Sequence, residues 1–594
     1  MTIDGYIVAL VVLFLIISLY INKIGSGLTF LIAIAILGTT GILTPQEMIA
    51  GFANEQIAIV VMLLLIGEIV RKAGILDAMF ARIFSRTTTY RGFISKLMIL
   101  VSGFSAFLNN TPLVAILMPY TRSWSKKNKI APSKLLIPLS YAAILGGSAT
   151  LIGTSTNLVV AGMVADQKII PDLAPLEIFD FSPVGVTMII LGIGYLMLFG
   201  NKLLPDIKSR VTAAEGGNRE YFAEAKIVNG TEMKGKTVDE AGLRNLQGLY
   251  LVEIIREGNS ISPVTPHTIL KQNDHLLFAG ATETIADMVE DHKGFELEYA
   301  DRLNPSHTNN IVEVVVSYNS SLIGRTAKEI QFRGKFNAAI IGIHRNGEKL
   351  SGKIGNVKLE AGDLLLLITG ADFRQRVADS GDMYALTNLR EIKKVPFAKQ
   401  ALLIGGIILA AIASTIGIVK LFTAILLLLI LVVVSNLITP KEIIKSIDFN
   451  LIFIIALSLA LGTAMLKTGI ADSIADTFLS IVKPFGVIGV LAGIFLLTNL
   501  LGSFITNKAA VAILFPVALN LALNMGLNPK PFILTVAFAG AASFLTPVGY
   551  QTNLMVFGPG GYHFKHFFKI GWPLTLIYLI VTVFGLILQF NLPI

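Results

Sequence analysis

Ser105-Ala-Phe-Leu-Asn109-Asn110-Thr111-Pro112-Leu-Val-Ala-Ile-Leu-Met-Pro119 returns, 397 positions later, as Gly502-Ser-Phe-Ile-Thr506-Asn507-Lys508-Ala-Ala-Val-Ala-Ile-Leu-Phe-Pro516. Phe107 aligns with Phe504, Asn110 with Asn507 and Pro119 with Pro516. Each copy sets an amide–hydroxyl cluster inside apolar sequence. In hydrocarbon such a cluster is costly unless it binds something. A duplicated cluster points to a transporter built from two related halves that share a central site.

The surrounding composition agrees. The chain has 594 residues, 54% of them hydrophobic and 15% charged, where a soluble protein carries about 25% charged residues. Its mean hydropathy is +0.71. Apolar runs follow one another, each close to the ~20 residues that cross a bilayer. This is the pattern of a polytopic α-helical membrane protein, multi-pass in the cell (inner) membrane and surrounded by lipid. The first run, Tyr6 to Ile21, lacks a basic n-region and a small-residue cleavage site, so it reads as a retained helix. No cysteine is present, which excludes disulfides, thiolate metal sites and cysteine nucleophiles. The net charge of +9 is assigned to cytoplasmic loops and not to nucleic-acid binding.

Three parts are expected: a first membrane half over 1–201, a soluble insert, and a second membrane half over 398–594. Within the insert, 202–219 and 381–397 read as linkers. Between them, β-rich runs (Leu249–Arg256, Ala338–Arg345, Leu364–Thr369) alternate with turn signals at Glu257-Gly258 and Asn346-Gly347. The insert is itself a tandem repeat. Met233-Lys-Gly235-Lys-Thr matches Leu322-Ile-Gly324-Arg-Thr, Arg256-Glu-Gly258 matches Arg345-Asn-Gly347, and Asp274-His-Leu-Leu-Phe-Ala-Gly280 matches Asp363-Leu-Leu-Leu-Leu-Ile-Thr-Gly370. Where the first copy has Asn273-Asp274, the second has Gly362-Asp363. This pattern resembles the C-terminal (RCK-C) domain of TrkA-type potassium-uptake regulators, over 220–290 and 310–380. The resemblance implies a regulatory role and a small nucleotide or ion as ligand, by analogy alone. The nucleotide-binding partner domain of those regulators needs G-x-G-x-x-G after a strand. None is found, so NAD binding is not expected.

Loop charge sets the topology. One basic loop holds Arg71, Lys72, Arg82, Arg86 and Arg91; the next holds Arg122, Lys126, Lys127, Lys129 and Lys134. Both read as cytoplasmic, with only 92–121 between them. A re-entrant hairpin with its tip near Ser105–Pro112 satisfies both loops, and non-helical backbone is tolerated at depth where protein surrounds it. The acidic loop Asp166–Asp180 then lies outside. The second half starts inside, enters a second hairpin at 484–525 from outside, and returns to a basic loop at His563–Lys569. The halves are therefore expected to be inverted repeats.

A second duplicated pair follows the hairpins: Gly146-Gly-Ser148-Ala-Thr150-Leu-Ile-Gly153-Thr154-Ser155-Thr156-Asn157-Leu158, and Ser543-Phe-Leu-Thr546-Pro547-Val-Gly549-Tyr550-Gln551-Thr552-Asn553-Leu554. Gly and Pro here break a crossing helix, releasing carbonyls for a cation and N–H groups for an anion. Paired hairpin tips and broken helices with these residues resemble the divalent anion:sodium symporter family over nearly the whole membrane portion. The run Thr546–Tyr562 looks like its sulfate-carrier-like branch with inserted RCK-C domains. The resemblance implies a sodium set of Ser105, Asn109, Asn110 and Gly153 in the first half, with Thr506, Asn507 and Gly549 in the second. It implies an anion between Asn110, Thr111, Thr154, Ser155, Asn507, Lys508, Tyr550 and Gln551, and a homodimer. Two positions depart from the pattern. Gly502 stands where the first copy has the hydroxyl of Ser105, with Ser503 adjacent. Lys508 stands where it has Thr111, and is expected to replace the second sodium or to pair with a dianion; the alternative is that it snorkels or caps carbonyls.

Other residues have plainer readings. Asn110 and Asn507 could simply cap helices, and membrane hydroxyls such as Ser105 and Thr154–Thr156 often satisfy i−4 carbonyls. Glu68 reads as an interfacial partner of Arg71 and Lys72, His563 and His566 as solvated, and Trp124 and Trp572 as interface anchors. The function expected is a secondary carrier for a small divalent oxyanion, sulfate-like, coupled to sodium, with protons as the alternative, and needing no other cofactor. A dicarboxylate symporter is one alternative. An RCK-gated cation channel or carrier is another, but Val548-Gly549-Tyr550-Gln551 occurs once and lacks the second Gly of a potassium filter. A membrane-anchored sensor would not need the duplicated site. No nucleotide loop, metal cluster or nucleophile constellation points to an enzyme.

Overall fold

The computed structural model describes the whole chain apart from residues 1, 22–23, 73–79, 81–82, 85–86, 168–169, 171–172, 208–221, 228–232, 244–248, 258, 262–263, 281–294, 299–310, 319, 346–347, 351–353, 371, 387–395, 436, 439–442, 444–446, 448 and 594. Arg82, Arg86, most of the 202–219 linker and the tips of both expected turns (Gly258 and Asn346-Gly347) lie outside the described residues, as do the side chains of Glu68, Arg71 and Lys72.

The first helical part comprises α1 (Ile3–Ile21), α2 (Ser26–Thr39), α3 (Pro45–Ile49), α4 (Glu55–Lys72), α5 (Tyr90–Ser105), α6 (Asn110–Lys127), α7 (Leu136–Gly147), α8 (Ser155–Asp166) and α9 (Ser182–Leu203). After the insert, which holds the short helices α10 (Phe332–Phe336) and α11 (Phe373–Ser380), come α12 (Phe397–Thr415), α13 (Leu421–Val434), α14 (Phe449–Lys467) and α15 (Ile470–Val482). They are followed by α16 (Gly486–Phe504), α17 (Asn507–Asn524), α18 (Pro529–Ala541), α19 (Gln551–Phe557) and α20 (Phe564–Phe590). Among the described residues, five helices are long and apolar enough to cross a membrane, or up to seven if two bent pairs each count as one span. Leu10, Ile190, Leu198, Leu409, Val434 and Leu588 are large, apolar and exposed on the helices, as side chains that face lipid are.

The two duplicated stretches fold alike. α5 and α6 form a helical hairpin whose tip is 106–109, and α16 and α17 form another whose tip is 505–506. Asn109 and Thr506 cap the second arms, accepting from the backbone N–H of Thr111 and Ala509. Each second arm contains a proline in its interior, Pro119 or Pro516, which removes one helical hydrogen bond there. The glycine-rich stretches interrupt helices as expected: α7 and α8 are separated by 148–154, and α18 and α19 by 542–550.

The insert contains two five-stranded antiparallel sheets. Strands β1 (Phe222–Ile227), β2 (Leu249–Arg256), β3 (Asn259–Ile261), β4 (His275–Gly280) and β5 (Phe295–Glu298) pair in the order β3-β2-β4-β1-β5. Strands β6 (Ile311–Val316), β7 (Ala338–Arg345), β8 (Glu348–Lys349), β9 (Leu364–Thr369) and β10 (Met383–Ala385) pair as β10-β6-β9-β7-β8, the same order read backwards. β5 and β10 carry the sheets past 290 and 380, the ends expected from the sequence. Arg256 grips Asp274 through Nε and Nη2, both at 2.8 Å, and Arg345 grips Asp363 with the same two distances. Asn273 and Gly362, the differing residues before those aspartates, both have positive φ, 63° and 84°.

Loop contacts sort into two sets. Asp180 meets Lys530 at 3.7 Å, Glu47 meets Lys467 at 3.2 Å, and Asp476 meets Asn524 at 3.1 Å. At the other helix ends, Lys134 donates to the carbonyls of Asn201 and Leu204, both at 2.7 Å, and Tyr562 donates to that of Ser133 at 2.7 Å. If loop charge reports the topology, these sets face opposite sides of the membrane. The absence of native cysteine makes this simple to test. Glu177→Cys and Leu527→Cys are expected to react with an impermeant maleimide from outside intact cells, and Lys129→Cys and Lys565→Cys only after permeabilisation. All four reacting alike would contradict that topology.

Candidate functional site

Four helices begin where the halves meet: α6 at Asn110, α8 at Ser155, α17 at Asn507 and α19 at Gln551. The first turn of a helix offers N–H groups with no intrahelical partner and carries a partial positive charge. The buried Asn110 donates from Nδ2 to Tyr550 Oη at 2.6 Å, and Thr111 Oγ1 donates to Gln551 Oε1 at 2.8 Å. Thr154, which precedes α8, lies 3.3 Å from the same Tyr550 oxygen. Residues from opposite ends of the chain thus meet at side-chain level, with Ser155 opening α8 beside Thr154. The start of α17 lies against the start of α8 through Gly540. A Cβ built there would be 3.0 Å from the Thr156 methyl and 3.7 Å from the Asn507 carbonyl oxygen. Lys508 is the second residue of α17 and is half-buried.

The residues read as a sodium set divide into two groups. Ser105 Oγ lies against Asn110 Oδ1 and 2.6 Å from the carbonyl oxygen of Ala143. A hydroxyl has one hydrogen to give, so three oxygens converge on a single proton. Gly153 stands behind them: a Cβ there would lie 2.4 Å from the Gly147 carbonyl oxygen, and one on Gly147 would lie 2.7 Å from Asn110 Nδ2. Asn109 is turned to capping, its Oδ1 accepting from Thr111 N at 3.2 Å. In the second half Thr506 caps in the same way, accepting from Ala509 N at 3.4 Å. Gly549 donates its N–H to Thr546 Oγ1 at 3.1 Å and approaches the Gly502 carbonyl. Ser503, next to Gly502, donates back to Asn499 O at 2.9 Å and so satisfies its own helix. The hydroxyl on Asn507 comes from Ser543 instead, which accepts from Nδ2 at 2.6 Å.

Two further asparagines hold the helix breaks open, a role not read from the sequence. Asn553 Nδ2 donates to the carbonyls of Ser543 at 2.7 Å and Thr546 at 3.2 Å, and Asn157 Nδ2 donates to that of Thr150 at 2.9 Å. Both side chains are fully buried. Asn553 Oδ1 is also 2.7 Å from Ser140 Oγ across the halves, whereas Asn157 Oδ1 has no partner among the described residues. Their signal was present in the sequence, four residues after Gly153 and after Gly549. Removing the Asn553 amide takes the donor from two carbonyls, at about 1–3 kcal/mol each, whereas the Thr150 carbonyl keeps the Gly153 N–H at 3.4 Å when Asn157 is removed. Asn553→Ala is therefore expected to lower the melting temperature of the purified protein more than Asn157→Ala. Equal melting temperatures for both variants and the wild type would remove the stapling role.

Comparison with known proteins bears on what this geometry serves. The model of the citrate transporter family (CitMHS) matches residues 11–500 and 412–592. A putative sulfur deprivation response regulator of Chlamydomonas reinhardtii is 31% identical over 574 residues, covering 93% of this chain and 96% of the relative. An uncharacterized transporter of Synechocystis is 31% identical over 590 residues, covering 96% and 95%. Sodium/sulfate cotransporter 1 of Chlamydomonas reinhardtii is 23% identical over 776 aligned positions, covering 95% and 87%. The chain belongs to the citrate transporter family, and is a multi-pass membrane protein and a secondary transporter of anions rather than an enzyme.

Proposed function

We propose that the transported anion is a divalent oxyanion of the sulfate type, carried with sodium between two inverted halves. The observation that carries this reading is the meeting of Asn110 and Thr111 with Tyr550 and Gln551 at the beginnings of helices. Amide and hydroxyl donors and helix N-termini, with no arginine among them, suit a compact oxyanion. Two Chlamydomonas reinhardtii relatives, sodium/sulfate cotransporter 1 and probable sodium/sulfate cotransporter 3, point the same way. Thr154, Ser155 and Asn507 complete the enclosure, and Lys508 supplies positive charge to a dianion. Sodium is assigned to the three oxygens of Ser105, Asn110 and Ala143. There a cation needs no hydrogen and resolves the competition for one proton.

Purified protein in proteoliposomes tests this. Labelled sulfate is expected to accumulate under an inward sodium gradient, and succinate and citrate are not. Lys508→Thr is expected to abolish uptake or change its sodium stoichiometry. Uptake of succinate or citrate without sulfate would favour a dicarboxylate carrier, and potassium flux without any anion a cation pathway. Unchanged uptake and sodium dependence in Lys508→Thr would remove the role given to that lysine.

We further propose that the insert is a pair of RCK-C-like domains and regulates transport through its second sheet. Glu313 on β6 forms an ion pair with Arg122 on α6. Gly362, in the turn before β9, packs on α19: a Cβ there would be 2.9 Å from Leu554, and its own carbonyl oxygen lies 2.8 Å from where Gly558 would carry one. Val315, Leu364 and Leu386 share the apolar core of the membrane helices, while the first sheet closes a core of its own. The second sheet thus holds the far ends of the two helices whose near ends carry Asn110, Thr111 and Gln551. Asn273 of the first copy would not fit where Gly362 sits. Glu313→Gln and Gly362→Asn are expected to change the maximal uptake rate about fivefold or more with little change in KM. Wild-type rates in both variants would contradict this coupling.

A further inference from the structure

Asn110 and Asn507 are held in the same sense by different partners. Ser105 and Gly502 occupy equivalent places on the first arms of the hairpins, and Gly147 and Ser543 occupy equivalent places at the breaks. In the first half the hydroxyl is on the arm: Ser105 Oγ lies against Asn110 Oδ1. The break carries the glycine, whose Cβ would come within 2.7 Å of Asn110 Nδ2. In the second half the arrangement is reversed. The break carries the hydroxyl, with Asn507 Nδ2 donating to Ser543 Oγ at 2.6 Å. The arm carries the glycine, whose Cβ would come within 2.8 Å of Asn507 Oδ1. Each asparagine therefore turns its oxygen to the arm and its nitrogen to the break, gripped at one end by a serine and closed at the other by a glycine.

We propose that Ser543 is a positioning residue of the transport site, supplying from the break the grip that Ser105 supplies from the hairpin, so that serine and glycine have exchanged places between the halves. This rests on the sodium-coupled reading above. The exchange has a chemical consequence. Ser105 engages the oxygen of Asn110 and leaves its N–H to reach Tyr550 in the other half. Ser543 engages one of the two N–H groups of Asn507 and so sets which way that amide faces. What it turns toward the hairpin arm is a carbonyl oxygen, the ligand a sodium ion takes. The second tip thus offers an acceptor whose direction Ser543 sets. The loss of the arm hydroxyl at Gly502 does not leave Asn507 without a hydroxyl partner.

Two measurements on the full-length protein decide this. The first is a melting-temperature cycle on purified wild type, Ser543→Gly, Gly502→Ser and the double variant. Each single variant is expected to melt several degrees lower, the first losing the grip and the second crowding Asn507, and the double variant to recover most of the loss. Additive losses would overturn the exchange. The second is sodium-dependent uptake. Ser543→Ala is expected to raise the half-saturating sodium concentration about tenfold, a lost hydrogen bond being worth about that much. The anion KM at saturating sodium is expected to hold, and Ser543→Thr to stay near wild type. An unchanged sodium requirement in Ser543→Ala, even with a lowered melting temperature, would make the residue merely structural. Wild-type protein that carries no anion with sodium would sink the functional reading, while the melting cycle would still decide the exchange.

Discussion

The membrane part is organised by a cost of low-dielectric interiors: a buried amide left without partners is expensive. Asn110 is buried at the tip of the first hairpin, and its two ends reach Ser105 in its own half and Tyr550 in the other. Satisfying one side chain therefore ties a hairpin near the start of the chain to a helix break near its end. Thr111 and Gln551 repeat the tie one residue further on. Around these links the same regions join again through Tyr141 with the Phe544 carbonyl at 2.5 Å, Tyr195 with that of Ile570 at 3.0 Å and Ser140 with Thr552 at 2.8 Å. The proposed transport site and the seam between the halves are made of the same bonds.

That economy explains why the helices are broken where they are. An unbroken helix would bury its own N–H and C=O groups and present neither to a ligand. Breaking it exposes both, and the exposed carbonyls must then be held. Asn157 and Asn553 do this from the next helical turn, each reaching back over its break. The seam also extends to the insert. The second sheet is fastened to α6 and α19, the helices that begin at the proposed site.

Much of this was legible in the linear sequence because it is local or duplicated. The tips fall where the Asn109-Asn110-Thr111 and Thr506-Asn507-Lys508 runs placed them, and the breaks fall on the glycine-rich pairs. Strands β2, β7 and β9 have the ranges that their apolar runs gave. What escaped depends on contacts between distant segments. Ser543 lies 36 residues from Asn507, and only the fold shows that it takes over from the missing hydroxyl at Gly502. The sequence made Ser503 the nearer candidate, yet its hydroxyl is used by its own helix. The Asn273-to-Gly362 difference was visible, but its reason was not: Gly362 is packed against Leu554, a neighbour that no local pattern announces.

The central claim is that one anion sits between the two halves, among the starts of α6, α8, α17 and α19. Anomalous diffraction from crystals soaked in selenate, a sulfate-shaped ion with a strong scatterer, tests it most directly. The account predicts one selenium peak per protomer within hydrogen-bonding reach of Thr111, Thr154 and Tyr550. A well-occupied peak elsewhere in the membrane part, with that position empty, would contradict it.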